Sequence, residues 1–226
     1  MERINKIKKI VIIILAIILI LITLVSIILC IYSKNKLKRA KIQDENIVFF
    51  GDSIIKGYNV KEFFEDNHVV NDGVGGNKTI DLIERLEGLY DYNPSLVIIL
   101  IGTNDINANI SDENIINNIE KIIDGIRNER KNAYIYIQSI YPINKEMGDF
   151  FNNLPSEYNN KHIIKVNKLI KQLCKKKKVT YINVYDSLKD SNGNLKSAYT
   201  KEGLHLNDLG YYKVTNVLKK YIKKEK

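Results

Sequence analysis

The stretch Asn46-Ile47-Val48-Phe49-Phe50-Gly51-Asp52-Ser53 carries the strongest signal of fold class in the chain. Its apolar run shows no in-out alternation, as expected of a strand buried on both faces, and Gly51 opens a turn at its end. A second stretch repeats the form: Leu96-Val97-Ile98-Ile99-Leu100-Ile101, then Gly102-Thr103-Asn104-Asp105. Strands buried on both faces belong to parallel sheets, and open sheets of that kind carry their sites just beyond the carboxyl ends of the strands.

Working outward, strands are expected at 46–50, 68–71, 95–101, 133–138 and 179–184, and helical patterns at 78–90, 112–129, 156–177 and 207–224. Ser111 or Asp112 can cap the second helix, Pro155 can open the third, and Asn207 or Asp208 can cap the last. The alternation predicts an α/β domain: a three-layer, doubly wound parallel sheet of about five strands in the flavodoxin-like order 2-1-3-4-5. The chain has only three prolines, and with short connections the sequence predicts no large lid.

The amino terminus is of another kind. Ile10 to Ile31 carries no charged residue, and only Thr23 and Ser26 interrupt its aliphatic character. A helix of that length spans roughly 33 Å, against about 30 Å for a bilayer core. The segment ends Leu29-Cys30-Ile31-Tyr32, without the small residues of a cleavage site. It reads as an uncleaved, single-pass anchor over 10–32. A basic tail (1–9) precedes it, a basic juxtamembrane linker (33–45) follows, and 46–226 forms the domain.

The net charge of +9 is concentrated at this end: residues 1–41 hold nine Lys or Arg and one Glu, leaving about +1 for the rest. Basic residues flanking an apolar span suit anionic headgroups and argue against nucleic acid as the partner. Basic residues lie on both sides of the span, so charge alone does not orient it. Its closeness to the amino terminus favours an extracytoplasmic domain at the cell membrane. The two cysteines, Cys30 and Cys174, make no disulfide framework.

Three short motifs carry chemistry: Gly51-Asp52-Ser53, Gly102-Thr103-Asn104-Asp105 and Glu202-Gly203-Leu204-His205. A fourth, Asp72-Gly73-Val74-Gly75-Gly76-Asn77, follows the second expected strand. The set resembles the SGNH (GDSL-type) hydrolases, serine esterases, lipases and acyl-transfer enzymes, from about Asn46 to the end of the chain. The resemblance implies Ser53 as nucleophile, His205 as base, and an oxyanion hole from the Ser53 N–H, the Gly76 N–H and the Asn104 amide. Asp52, Asn77 and Pro142 are candidate substrate contacts; Gln138 to Pro142, Tyr199 and Thr200 are expected near the site.

One position departs from the family. An aspartate usually stands three residues before the histidine, and here that residue is Glu202. A glutamate can orient an imidazole, with a Ser53–His205 dyad as the alternative. His68 and His162 fall in a strand and a helix and read as structural. The glycines at 73–76 lack the spacing of a phosphate loop or a dinucleotide fingerprint, no Gly-x-Ser-x-Gly elbow is present, and no metal or cofactor is called for. The expected substrate is a small ester or an acylated glycan or lipid. Acyl transfer to a glycan would use the same residues, and a non-catalytic binding module remains the alternative of another class.

Overall fold

The computed structural model describes residues 14–15, 18–33, 46–66 and 68–222. The chain divides into two compact units, Met1–Asp44 and Glu45–Lys226. In the first, residues 18–33 are helical and their large apolar side chains are exposed. The Thr23 hydroxyl donates to the Ile20 carbonyl (2.7 Å) and the Ser26 hydroxyl to that of Ile22 (2.9 Å), so both polar side chains are satisfied by their own helix. Among the described residues no helix is long and apolar enough to cross a membrane. The anchor expected over 10–32 lies partly outside the described residues, as do the tail and nearly all of the linker.

The second unit is built on one parallel sheet of β1 (Asn46–Gly51), β2 (Val69–Gly73), β3 (Pro94–Leu100), β4 (Tyr134–Gln138) and β5 (Thr180–Ile182). Their order is β2-β1-β3-β4-β5, the doubly wound order expected from the sequence. Successive side chains point to opposite faces. Val48, Phe50, Val97, Ile99, Ile135 and Ile137 pack in one buried cluster with side chains of α3 (Thr79–Glu84), α4 (Leu86–Asp91), α6 (Asp112–Glu129) and α7 (Asn160–Lys177). Phe49, Leu96, Ile98, Leu100 and Tyr136 pack in the other with α1 (Ser53–Lys56), α2 (Val60–Phe64) and α9 (Asp208–Ile222). Two short helices, α5 (Thr103–Asn107) and α8 (Tyr185–Leu188), complete the set.

Register positions the functional edge. Gly51 pairs with Gly73 on one side and Leu100 on the other, so the first three strands end level. Ser53, the loop after Gly73 and Asn104 therefore leave the sheet at one edge. Gly51 must be a glycine, because a Cβ there would stand 2.2 Å from the Leu100 carbonyl oxygen.

Three expectations are corrected. The pattern over 78–90 is two helices that break at Arg85, whose backbone (φ −98°, ψ 4°) leaves the helical region. The helix expected to open at Pro155 starts at Asn160, because the Asn159 side chain accepts from the His162 N–H (3.0 Å) and caps it there. The stretch 139–159 is consequently not a short connection, and it holds two 3-10 turns, Lys145–Met147 and Asp149–Asn153. Ser111 caps α6, accepting from Asn114 N–H (3.3 Å), and the Asn207 side chain accepts from Gly210 N–H (3.0 Å) at the start of α9.

Candidate active site

Ser53 is the first residue of α1, immediately beyond β1. Its Oγ lies 2.9 Å from Nε2 of His205, which arrives from the loop before α9. The imidazole Nδ1 bonds to Oε1 of Glu202. Serine, imidazole and carboxylate thus stand in an unbroken chain of hydrogen bonds across 152 residues of sequence.

The Glu202 carboxylate is fixed by its own loop. Oε1 accepts the His205 N–H at 2.8 Å, and Oε2 accepts the Leu204 N–H at 2.9 Å and faces the Thr200 hydroxyl at 3.1 Å. Partial burial raises its pKa, but the Leu204 and His205 N–H groups and the His205 ring outweigh it, and the net shift is downward. Thr200 is itself buried, accepts the Gly203 N–H at 2.9 Å and lies 2.6 Å from the His205 carbonyl. Gly203 closes the turn at φ +91°; a Cβ there would meet the Asn144 carbonyl oxygen at 2.1 Å. The Asn144 N–H donates to the Gly203 carbonyl at 2.8 Å, so the long stretch after β4 braces the histidine loop.

Asn104, in the first turn of α5, donates one amide hydrogen to the Asn77 carbonyl (2.9 Å). Its second amide hydrogen is left for another acceptor. Gly76, at φ +80°, is exposed in the same loop. Among the described residues the N–H groups of Ser53 and Gly76 have no assigned acceptor. Below them Asp105, buried, accepts the Thr79 N–H and hydroxyl and ties α5 to the start of α3; burial raises its pKa despite these bonds.

The remaining candidates fare differently. Asp52 is only 1 % exposed, and its Oδ1 accepts the Ile54 N–H (2.9 Å), capping α1. It is a buried cap rather than a surface that substrate could touch. Burial, with Asp105 nearby, pushes its pKa up to about 7. Pro142 is also buried, in the stretch leading to Asn144. The Asn77 side chain is occupied, accepting from Arg85 at 2.7 Å. His162 pairs with Asp112 at 2.6 Å, each in the first turn of its helix. Sequence reasoning missed Arg85 and Asp105: Arg85 lay inside one continuous helical pattern over 78–90, and the signal for Asp105 was a carboxylate directly after Asn104.

Comparison with known proteins agrees with this architecture. The GDSL-like lipase/acylhydrolase family model matches residues 49–213. The rat (Rattus norvegicus) platelet-activating factor acetylhydrolase IB subunit alpha2 is 26% identical over 189 residues, covering 80% of this chain and 78% of its own. A solved structure from Streptococcus pneumonia, described with the words platelet activating factor, is 31% identical and superposes with a TM-score of 0.69 over 79% of this chain and 84% of its own. A GDSL-like lipase from Bacteroides thetaiotaomicron, at 22% identity, shares the fold with a TM-score of 0.71 over 86% and 98% of the two chains. The chain belongs to the GDSL-like lipase/acylhydrolase family, the serine hydrolases that act on esters.

Proposed function

We propose that this protein is a membrane-tethered esterase that removes a short acyl group, acetyl above all, from a sugar or cell-wall polymer. The observation that carries the reading is the chain Ser53–His205–Glu202 at the sheet edge, beside Asn104. His205 Nε2 takes the Ser53 proton as Oγ attacks the ester carbonyl. Glu202 fixes the ring tautomer and stabilises the imidazolium that forms. The N–H groups of Ser53 and Gly76 and the free Asn104 amide hydrogen face the oxygen as it becomes negative. His205 then protonates the leaving alcohol, and water, deprotonated by His205, releases the acyl group from Ser53.

The acetyl assignment is supported by the mammalian relatives, which are named acetylhydrolases. His205 is exposed and Ser53 partly so, which suits a substrate carried on a large polymer. The tether is supported by the uncharged segment from Ile10 to Ile31, flanked by basic residues. A p-nitrophenyl ester series from acetate to octanoate tests the acyl preference. kcat/KM should be highest for acetate and fall with chain length; a maximum at the longer chains would instead make the substrate a lipid ester.

The tether and its orientation have their own test. The full chain should sediment with membranes and resist extraction by salt. Protease added to intact spheroplasts should remove the domain; protection until lysis would place the site in the cytoplasm.

A further inference from the structure

We infer that Arg85 is a positioning residue for the oxyanion side of the site, acting through Asn77 on Gly76 and Asn104. The inference rests on the oxyanion reading above and adds what holds those donors in place. Arg85 stands at the break between α3 and α4, and its guanidinium lies over the Phe50 ring, 5.1 Å from the centroid. One nitrogen donates to the Asn77 side-chain oxygen at 2.7 Å. Another donates to the Asp72 carboxylate at 2.8 Å and to the Asp72 carbonyl at 2.9 Å.

The two anchor points bracket the loop that contains Gly76. A Cβ at Gly76 would meet no atom within 4 Å, and the loop's own backbone bonds run from the Val74 N–H to the Gly51 carbonyl (3.0 Å) and from the Asn77 N–H to the Val74 carbonyl (3.3 Å). The fork of Arg85 adds a tie between the two ends of the loop, with a geometry a lysine cannot reproduce. Asn77 then passes the constraint on: its side chain is held by Arg85 while its carbonyl accepts from Asn104 Nδ2 at 2.9 Å. Losing Arg85 therefore loosens two of the three donors together, without removing a group that touches substrate.

The test is a double-mutant cycle on the full-length protein, with p-nitrophenyl acetate as substrate. Arg85→Gln should lower kcat by about ten- to a hundredfold, a misplacement effect, with KM little changed. Arg85→Lys should recover only part of the loss. In the Asn104→Ala background, Arg85→Gln should add less than its own factor, because the share of its effect that runs through Asn104 is already lost and only the Gly76 share remains. Should Arg85→Gln fold poorly, Asn77→Ala removes only one of the three bonds and should give a smaller loss of the same kcat kind. Parental kcat in Arg85→Gln, or losses that multiply fully with Asn104→Ala, would overturn the inference. Parental kcat in Asn104→Ala itself would instead overturn the oxyanion reading beneath it.

Discussion

Glu202 holds His205 twice, through the ring Nδ1 and through the backbone N–H at 2.8 Å. The same carboxylate that aligns the imidazole thus also sets the turn that presents it. With the Leu204 N–H at 2.9 Å on the second oxygen, the longer side chain of glutamate folds back over its own loop and is fully used.

Glu202→Gln should therefore be costly, because an amide nitrogen would face N–H donors or the ring would adopt the wrong tautomer. A fall in kcat of about two to four powers of ten is expected. Glu202→Asp keeps the charge but shortens the reach, and should retain more activity than Glu202→Gln. Steady-state kinetics on the three proteins decide it; parental activity in Glu202→Gln would favour a Ser53–His205 dyad.

Gly203→Ala is expected to damage the same loop from the backbone. The position combines a φ of +91° with a Cβ clash at 2.1 Å against the Asn144 carbonyl oxygen. The loop must move to relieve it, carrying Glu202 and His205 with it. Both the melting temperature and kcat should fall, whereas Gly193→Ala, at a positive φ but with open space around its Cβ, should cost only the backbone strain of about 1–2 kcal/mol.

The candidate site was legible from sequence wherever one of its residues follows directly on a strand or belongs to a short motif. Ser53 and Asn104 fell out of two apolar runs ended by glycine, and His205 out of a count of three histidines. The sheet order was legible for the same reason, since buried parallel strands are nearly uninterrupted aliphatic runs. Less visible were features set by tertiary contact. Asp52 looks like a surface carboxylate beside Ser53, yet it is buried and its side chain caps the helix that follows. The helix from Asn160 starts late because Asn159 caps it, a local bond that Pro155 outbid in the sequence reading. Arg85 makes its contacts eight and thirteen residues away, beyond any local pattern.

Asp52 gives a prediction about pH and stability. Its folded pKa is raised to about 7, so the folded state holds a proton there that the unfolded chain has released. A raised carboxylate pKa means stability that is full below the unfolded value near 4 and is lost as pH rises through about 7. Denaturant unfolding should show the parent losing stability between about pH 4 and about pH 7 and levelling off above. Asp52→Asn should flatten this slope and match or exceed the parent at pH 8, since its oxygen can still accept the Ile54 N–H. An unchanged slope in Asp52→Asn would mean that the carboxyl does not titrate in this window.

If Ser53 carries the acyl group, a covalent serine reagent should find it. The protein is treated with a fluorophosphonate, digested, and the adduct located by mass spectrometry while esterase activity is followed. One residue, Ser53, should be phosphonylated, with activity lost in step with labelling. A folded Ser53→Ala variant should take up no label and turn over an acetyl ester slower by up to about six powers of ten. Labelling elsewhere that tracks the loss of activity, or undiminished turnover in folded Ser53→Ala, would contradict that role for Ser53.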